Sequence, residues 1–230
     1  EPGTFAKEGA GTLTYTGAAL SCCGYVIVDA GILAISAESS LGGSVSVALG
    51  ATYDISQNIG EPYFIRALNG GGTFALGEHQ LDVFNPSGTF SGVVADGGIS
   101  GGTGGGLGVG LVGESFTWTL TGVNTYSGGT GVDGGTLALA GSGSLASSSG
   151  VTVDNGGALD ISGTTSGSTI KNLSGDGAVV LGGKTLTISD ATSMIPFSGA
   201  ISGTGGLMLQ HGTLTLNGTN TYSGATTIDA

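Results

Sequence analysis

Charge is what this 230-residue chain has least of: four Lys and Arg stand against sixteen Asp and Glu, a formal net charge of −12. So few bases exclude a phosphate-backbone binder, which needs clustered Lys and Arg, and argue against docking on anionic lipid. No apolar run approaches the length that spans a bilayer as a helix. Aromatic residues make up 6% of the chain, with a single Trp, and there are only two Cys. The sequence opens on Glu1 and closes in mid-pattern, which reads as a piece of a longer protein.

What is abundant is small: 50 Gly, 26 Ser and 28 Thr. Disorder would combine low hydrophobicity with high charge, whereas 39% of these residues are hydrophobic and the mean hydropathy is +0.34. A glycine-rich, charge-poor, moderately apolar chain of this kind reads as β-structure with many tight turns.

The sequence repeats itself. Gly122-Val123-Asn124-Thr125-Tyr126-Ser127-Gly128 returns as Gly218-Thr219-Asn220-Thr221-Tyr222-Ser223-Gly224. The segment Val45–Ser56 returns as Val151–Ser162. Ile65, Leu68, Leu81 and Val83 map onto Ile170, Leu173, Leu186 and Ile188, and Phe90-Ser91-Gly92 onto Phe197-Ser198-Gly199. Four segments in one order at nearly one offset make two units, approximately 1–123 and 124–230. Within them, four-residue alternations such as Thr136-Leu137-Ala138-Leu139 and Thr185-Leu186-Thr187-Ile188 follow glycine turns. Period-2 alternation marks half-buried strands, and no helical period is sustained. A strand–turn unit of about 21 residues buries its apolar face only by stacking on copies of itself. The expected architecture is an all-β parallel β-solenoid: eleven rungs at ~4.8 Å, a rod roughly 50 Å long. Phe90 to Asn124 spans 34 residues where Phe197 to Asn220 spans 23. The extra residues are expected to leave the rod as one mobile glycine-rich loop near 101–111.

The Asn-Thr-Tyr-Ser-Gly element, followed by Val132-Asp133-Gly134-Gly135-Thr136-Leu137-Ala138-Leu139, resembles the passenger-associated repeat of bacterial autotransporters. Phe197–Leu207 and Gly212–Gly218 complete the pattern, and a degraded third copy opens the chain at Phe5–Gly17, rejoining at Val28-Asp29-Ala30-Gly31-Ile32-Leu33. The resemblance implies a right-handed parallel β-helix exported through a C-terminal barrel. It also implies a place on the bacterial surface, anchored in the outer membrane or released. Neither a barrel nor a signal peptide is contained in this sequence, so secretion rests on the resemblance. The expected role is non-enzymatic: adhesion, self-association in biofilm, or a stalk. The partner would be a like rod on a neighbouring cell, or a host surface protein or glycan. Nucleic acid and insertion of this segment into a membrane are excluded. The alternative is a β-helical hydrolase or lyase acting on surface glycans, which needs acid pairs in a groove.

Chemical motifs stand against a background that generates them freely. Gly98-Ile99-Ser100-Gly101-Gly102 fits the nucleophile-elbow pattern, but that device needs a strand–turn–helix and a His partner. Gly108-Val109-Gly110-Leu111-Val112-Gly113 and Gly183-Lys184-Thr185 resemble nucleotide loops without the helix such loops require. All three read as turns. His79 and His211 have no partner at ligand spacing, so no zinc site is expected. Asp133, Asp154 and Asp176 lie near successive turns, but aligned on their glycines they fall out of register, which argues against a Ca²⁺ ladder. No catalytic, cofactor-binding or metal-binding residue is assigned. Cys22 and Cys23 are adjacent, so they are free thiols or a strained local bridge. Asn124 and Asn220 are expected to shape turns, with Tyr126 and Tyr222 capping the interior, and Asn172-Leu173-Ser174 and Asn217-Gly218-Thr219 match the glycosylation pattern.

Overall fold

The structure, a computed structural model, describes residues 3–17, 23–37, 41, 43–111, 113, 115–192 and 194–229. Cys22 and the side chain of Cys23 lie outside the described residues. Among those described no helix forms, and every strand pair is parallel. The chain is a β-solenoid with three faces.

The first face is a ten-stranded ladder running from Gly3–Lys7 to Ala200–Ser202 among the described residues. The second carries five strands from Thr12–Tyr15 to Val93–Ala95. Further along the rod, four strands from Ser168–Ile170 to Thr226–Ile228 take the same place in the coil order. The third carries six strands from Tyr63–Ile65 to Leu173–Gly175. About ten stacked turns stand among the described residues, close to the eleven rungs expected. Coil lengths follow from the pairing: Val26 sits beside Val45 and Val45 beside Leu68, steps of 19 and 23 residues. The step from Phe90 to Leu120 is 30.

Alternation explains the core. On the third face Ile65, Val83, Val109, Val132 and Val153 stack inward in one column, each fully buried, while Phe64, Asp82, Gly108, Gly131 and Thr152 stack outward. Identical-facing aliphatics one rung apart form a continuous apolar interior that no single coil could close. Larger groups fill the wider coils. Tyr53 and Phe74 stack with ring centroids 4.9 Å apart, and the Tyr53 and Tyr63 hydroxyls meet at 2.5 Å. Burial, and then the Tyr63 hydroxyl beside it, holds the Tyr53 phenol well above its ordinary pKa, so Tyr53 stays neutral. Trp118 is fully buried and its Nε1 donates to the carbonyl of Leu68, two coils back, at 3.0 Å.

The sequence repeat and the coil are not commensurate. Val45 lies on the first face and its sequence counterpart Val151 on the third. Ile65 lies on the third and Ile170 on the second; Phe74 on the second and Val179 on the first. Each matched segment is set back by one face, so the repeat covers four coils and two faces of the next. Three faces built from the same alternating strand make this rotation tolerable, because an inward aliphatic serves equally on any of them.

The expected single loop near 101–111 is corrected. Gly106–Val109 is a third-face strand, paired with Gln80–Val83 on one side and Thr130–Val132 on the other, with Leu107 and Val109 fully buried. Glycine at every outward position hides its alternation in the sequence. The additional residues are divided between turns at 96–105 and 110–116. The first is fastened down rather than mobile. Asp54, 1% exposed, accepts from the amide of Ile99 at 2.6 Å, and Ser56 Oγ accepts from the amide of Ser100 at 3.0 Å. At the loop's base, Asp96 accepts from the amides of Gly104 and Gly105 and from both the amide and hydroxyl of Ser127.

Candidate ligand-binding trough

The outward column of the third face changes character along the rod. It begins with Phe64, half exposed, passes to Asp82, and then runs through Gly108 and Gly131 to Thr152 and Ser174. Two glycines in succession leave a trough floored by backbone. At Gly108 the space a Cβ would fill is taken by Asp82, whose Oδ1 lies 2.1 Å from that position. Gln80 Nε2 donates to the same oxygen at 2.9 Å and holds the carboxylate across the trough.

At the low end this trough deepens into a cavity of about 210 Å³. Phe64 and Phe84 form aromatic walls, Leu111 closes a third side, and the carboxylates of Asp82 and Asp133 complete it over the backbone of Gly108 and Gly110. Leu111 belongs to the turn at 110–116, so the extra residues of this coil build one wall. Farther along, the trough opens into a wide depression of about 420 Å³ flanked by Gln80, Asn172, Thr152 and Ser174. There Thr152 Oγ1 and Ser174 Oγ lie 3.0 Å apart.

Two of the three acids at the neighbouring corner, Asp133 and Asp154, stand in register, which corrects the expectation for that pair. Val132 pairs with Val153, so Asp133 and Asp154 stack on successive coils, whereas at the next coil the amide of Gly177 rather than that of Asp176 takes up the Val153 carbonyl and Asp176 leaves the column. Aligning on glycines fails because the turns differ: Gly134-Gly135 follows Asp133 at once, while Asn155 intervenes before Gly156-Gly157. Partial burial, then the charges of Asp154 and Asp82, raise the Asp133 carboxyl above its ordinary 3.8. Asp154 and Asp176 are exposed. No group of three or more His, Cys, Asp or Glu among the described residues is arranged to hold a metal ion.

The remaining sequence candidates separate cleanly. Ser100 lies exposed in the fastened turn, its amide donating to Ser56 rather than its hydroxyl meeting a base. Gly108–Gly110 belongs to the trough floor. The turn at Gly182–Lys184 is followed by the strand Leu186–Ile188, not by a helix. His211 is exposed. His79 does have a partner, which sequence spacing did not reveal: its Nδ1 hydrogen-bonds Glu61 Oε1, and Glu61 Oε2 accepts from the amide of Gln80 at 3.1 Å. Glu61 lies 18 residues earlier, just under one coil, so only the coil length could have paired them. Asn172 uses its Oδ1 on the amide of Leu173.

The repeated Asn-Thr-Tyr motif is scaffold in both copies. Asn124 Oδ1 accepts from the amide of Val94 at 2.9 Å, and Asn220 Oδ1 from the amide of Ile201 at 3.0 Å. Tyr126 donates to or accepts from Thr130 Oγ1 at 2.6 Å, and Tyr222 meets Thr226 Oγ1 at the same distance.

A family model of the passenger-associated transport repeat matches residues 117–139 and 211–230, the two segments that carry these asparagines. Nearly the whole chain is also similar to the adhesin BmaC autotransporter of Brucella suis biovar 1 (strain 1330): 39% identity over 233 residues, 97% of this chain and 6% of that protein. The chain thus spans a small fraction of the curated relative it matches. No solved structure matches it. The β-solenoid, the two repeat matches and the likeness along the full chain agree: the chain is similar to an autotransporter passenger carrying passenger-associated repeats.

Proposed function

We propose that this segment is a rigid, non-enzymatic part of a bacterial surface adhesin, and that it adheres by lying against like rods on neighbouring cells. The observation that carries this reading is the outward column from Gly131 through Thr152 to Ser174, whose own side chains carry no charge and which is bounded at its low end by Asp82 and Asp133. In a chain of net charge −12, such a strip is where a second copy can approach without burying like charges. The hydroxyl rim at Thr152 and Ser174 offers hydrogen bonds, and weak contacts of this kind add along the rod. The adhesin name of the relative supports the same class, as does the investment of Asn124 and Asp54 in holding the scaffold rather than facing a reactant.

The test is display of the parent protein on bacterial cells with and without residues 1–230, and with Gly131→Arg and Thr152→Arg in the strip. Differently labelled populations should co-aggregate when both carry the native segment, and lose this when either arginine is introduced on both sides. Aggregation that survives deletion of the segment would make it a spacer. Turnover of a surface glycan that disappears with one Asp or Glu would make it an enzyme.

A further inference from the structure

We infer that the cavity between Phe64, Phe84 and Leu111 is a receptor for a single cationic side chain, Arg or Lys, presented by a partner protein other than this chain. The two sequence units make the cavity stand out. At matched positions the inward residues Ile65, Leu81 and Val83 are again aliphatic in the second unit, as Ile170, Leu186 and Ile188. The outward residues are not kept: Phe64, Asp82 and Phe84 correspond to Thr169, Thr187 and Ser189. The scaffold therefore needs the first set and not the second. Two aromatic side chains and an acid have been placed outward where hydroxyls satisfy the same fold.

Chemistry selects the occupant. The faces of aromatic rings carry partial negative charge and attract a cation held over them. Carboxylates of Asp82 and Asp133 sit at the same cavity, and Asp154 stacks one coil beyond Asp133. No basic residue lines it. The like charges that raise the Asp133 carboxyl are those a bound cation would offset. At about 210 Å³ the cavity is smaller than the ~300–1,000 Å³ of small-molecule pockets, which favours one side chain over a sugar chain. A second copy of this chain is a poor source. Of its four bases, Lys7 is buried against the carbonyls of Glu8, Gly9 and Ala30, Lys171 and Lys184 donate to carbonyls of neighbouring coils, and the one exposed arginine, Arg66, would arrive on a rod of net charge −12 that the acids of the cavity repel. Arg is the better fit of the two cations, since its planar guanidinium both stacks on a ring and forks to a carboxylate.

The experiment is backbone-amide NMR on the purified ¹⁵N-labelled 230-residue chain, titrated with N-acetyl-arginine N-methylamide, its lysine counterpart, its neutral citrulline counterpart and methyl glucoside. The arginine probe should shift the amides of Gly108, Gly110 and Leu111 in a saturable way that weakens as salt is raised. Phe64→Ala and the isosteric Asp82→Asn should each weaken it roughly three- to fivefold, while Thr169→Ala, at the matching site of the second unit, should leave it unchanged. Fluorescence of the buried Trp118 reports whether each variant is folded, and Asp82→Asn carries the test if Phe64→Ala is not. Citrulline binding as well as arginine, methyl glucoside shifting the same amides more strongly, or no cation shifting them at all would each overturn the assignment.

Discussion

Asn124 supplies with its side chain the hydrogen bond that a strand would have supplied to Val94. Its Oδ1 takes the Val94 amide one coil below, while its Nδ2 donates to Ser144 one coil above and to Gly122 in its own turn. The second face holds no strand at this level, and the asparagine carries the ladder across the gap. Asn124 is 1% exposed, so Asn124→Ala strands the buried amide of Val94, while the carbonyls of Ser144 and Gly122 keep backbone donors. The expected loss is about 1–3 kcal/mol. Asn220 makes the same bonds to Ile201 and Gly218 in a half-buried setting, so Asn220→Ala should cost roughly half as much. Thermal unfolding of the two variants measures the difference, and equal losses would show that burial between coils is not what sets the cost.

Close stacking of coils limits what the turns can hold. A Cβ on Gly122 would sit 1.8 Å from the carbonyl oxygen of Gly92, itself backbone, whereas one on Gly129 would meet nothing nearer than Ser149 Oγ at 3.9 Å. Gly122→Ala is therefore expected to force adjacent coils apart and lower the melting temperature by several degrees, at about 2–4 °C per kcal/mol for a chain of this size. Gly129→Ala should shift it by no more than about a degree. A tolerated Gly122→Ala would mean the coil spacing at this corner relaxes freely.

The solenoid was legible because its causes are local: alternation written in Thr136–Leu139 and Thr185–Ile188, turns written in glycine pairs, and a repeat that no compact single-layer fold could use. What escaped was whatever depends on the coil length. Asp133 and Asp154 are aligned by strand pairing at Val132 and Val153, not by the glycines near them. His79 meets Glu61 because 18 residues is one short coil. The rotation of the second unit by one face is invisible in a sequence where any inward aliphatic serves any face. The cavity was missed for the same reason: Phe64, Asp82 and Asp133 are 69 residues apart end to end and become neighbours only when three coils are counted between them.

Asp54 offers a test of how the turn at 96–105 is held. The carboxylate is buried and accepts from the amides of Ser56 at 2.8 Å and Ile99 at 2.6 Å. Asp54→Ala removes both acceptors while leaving the paired strands of that coil intact. Amide exchange at Ile99 and Ser100 should accelerate by at least about tenfold, consistent with local opening, while exchange at Leu107 and Val109 in the adjoining strand stays slow. Parallel acceleration at Leu107 would show that turn and strand open as one unit.

Asp133 makes stability depend on pH in a direction opposite to that of most carboxylates. Burial first, then Asp154 and Asp82, raise its carboxyl above the ordinary 3.8. The folded chain therefore keeps this proton to higher pH than the unfolded chain does. The stability that goes with the proton is fully present below 3.8 and is lost as pH rises through the raised value. At neutral pH the ionised group opposes folding, to an extent that solvent at its partly exposed site reduces. Asp133→Asn, which keeps the shape and removes the charge, should melt at a higher temperature than the native chain at pH 7. The advantage should shrink as pH falls and vanish below 3.8. Melting curves of both chains across that range decide it, and an asparagine variant that is less stable at pH 7 would show that the Asp133 carboxylate is held by attraction rather than strained by its acidic neighbours.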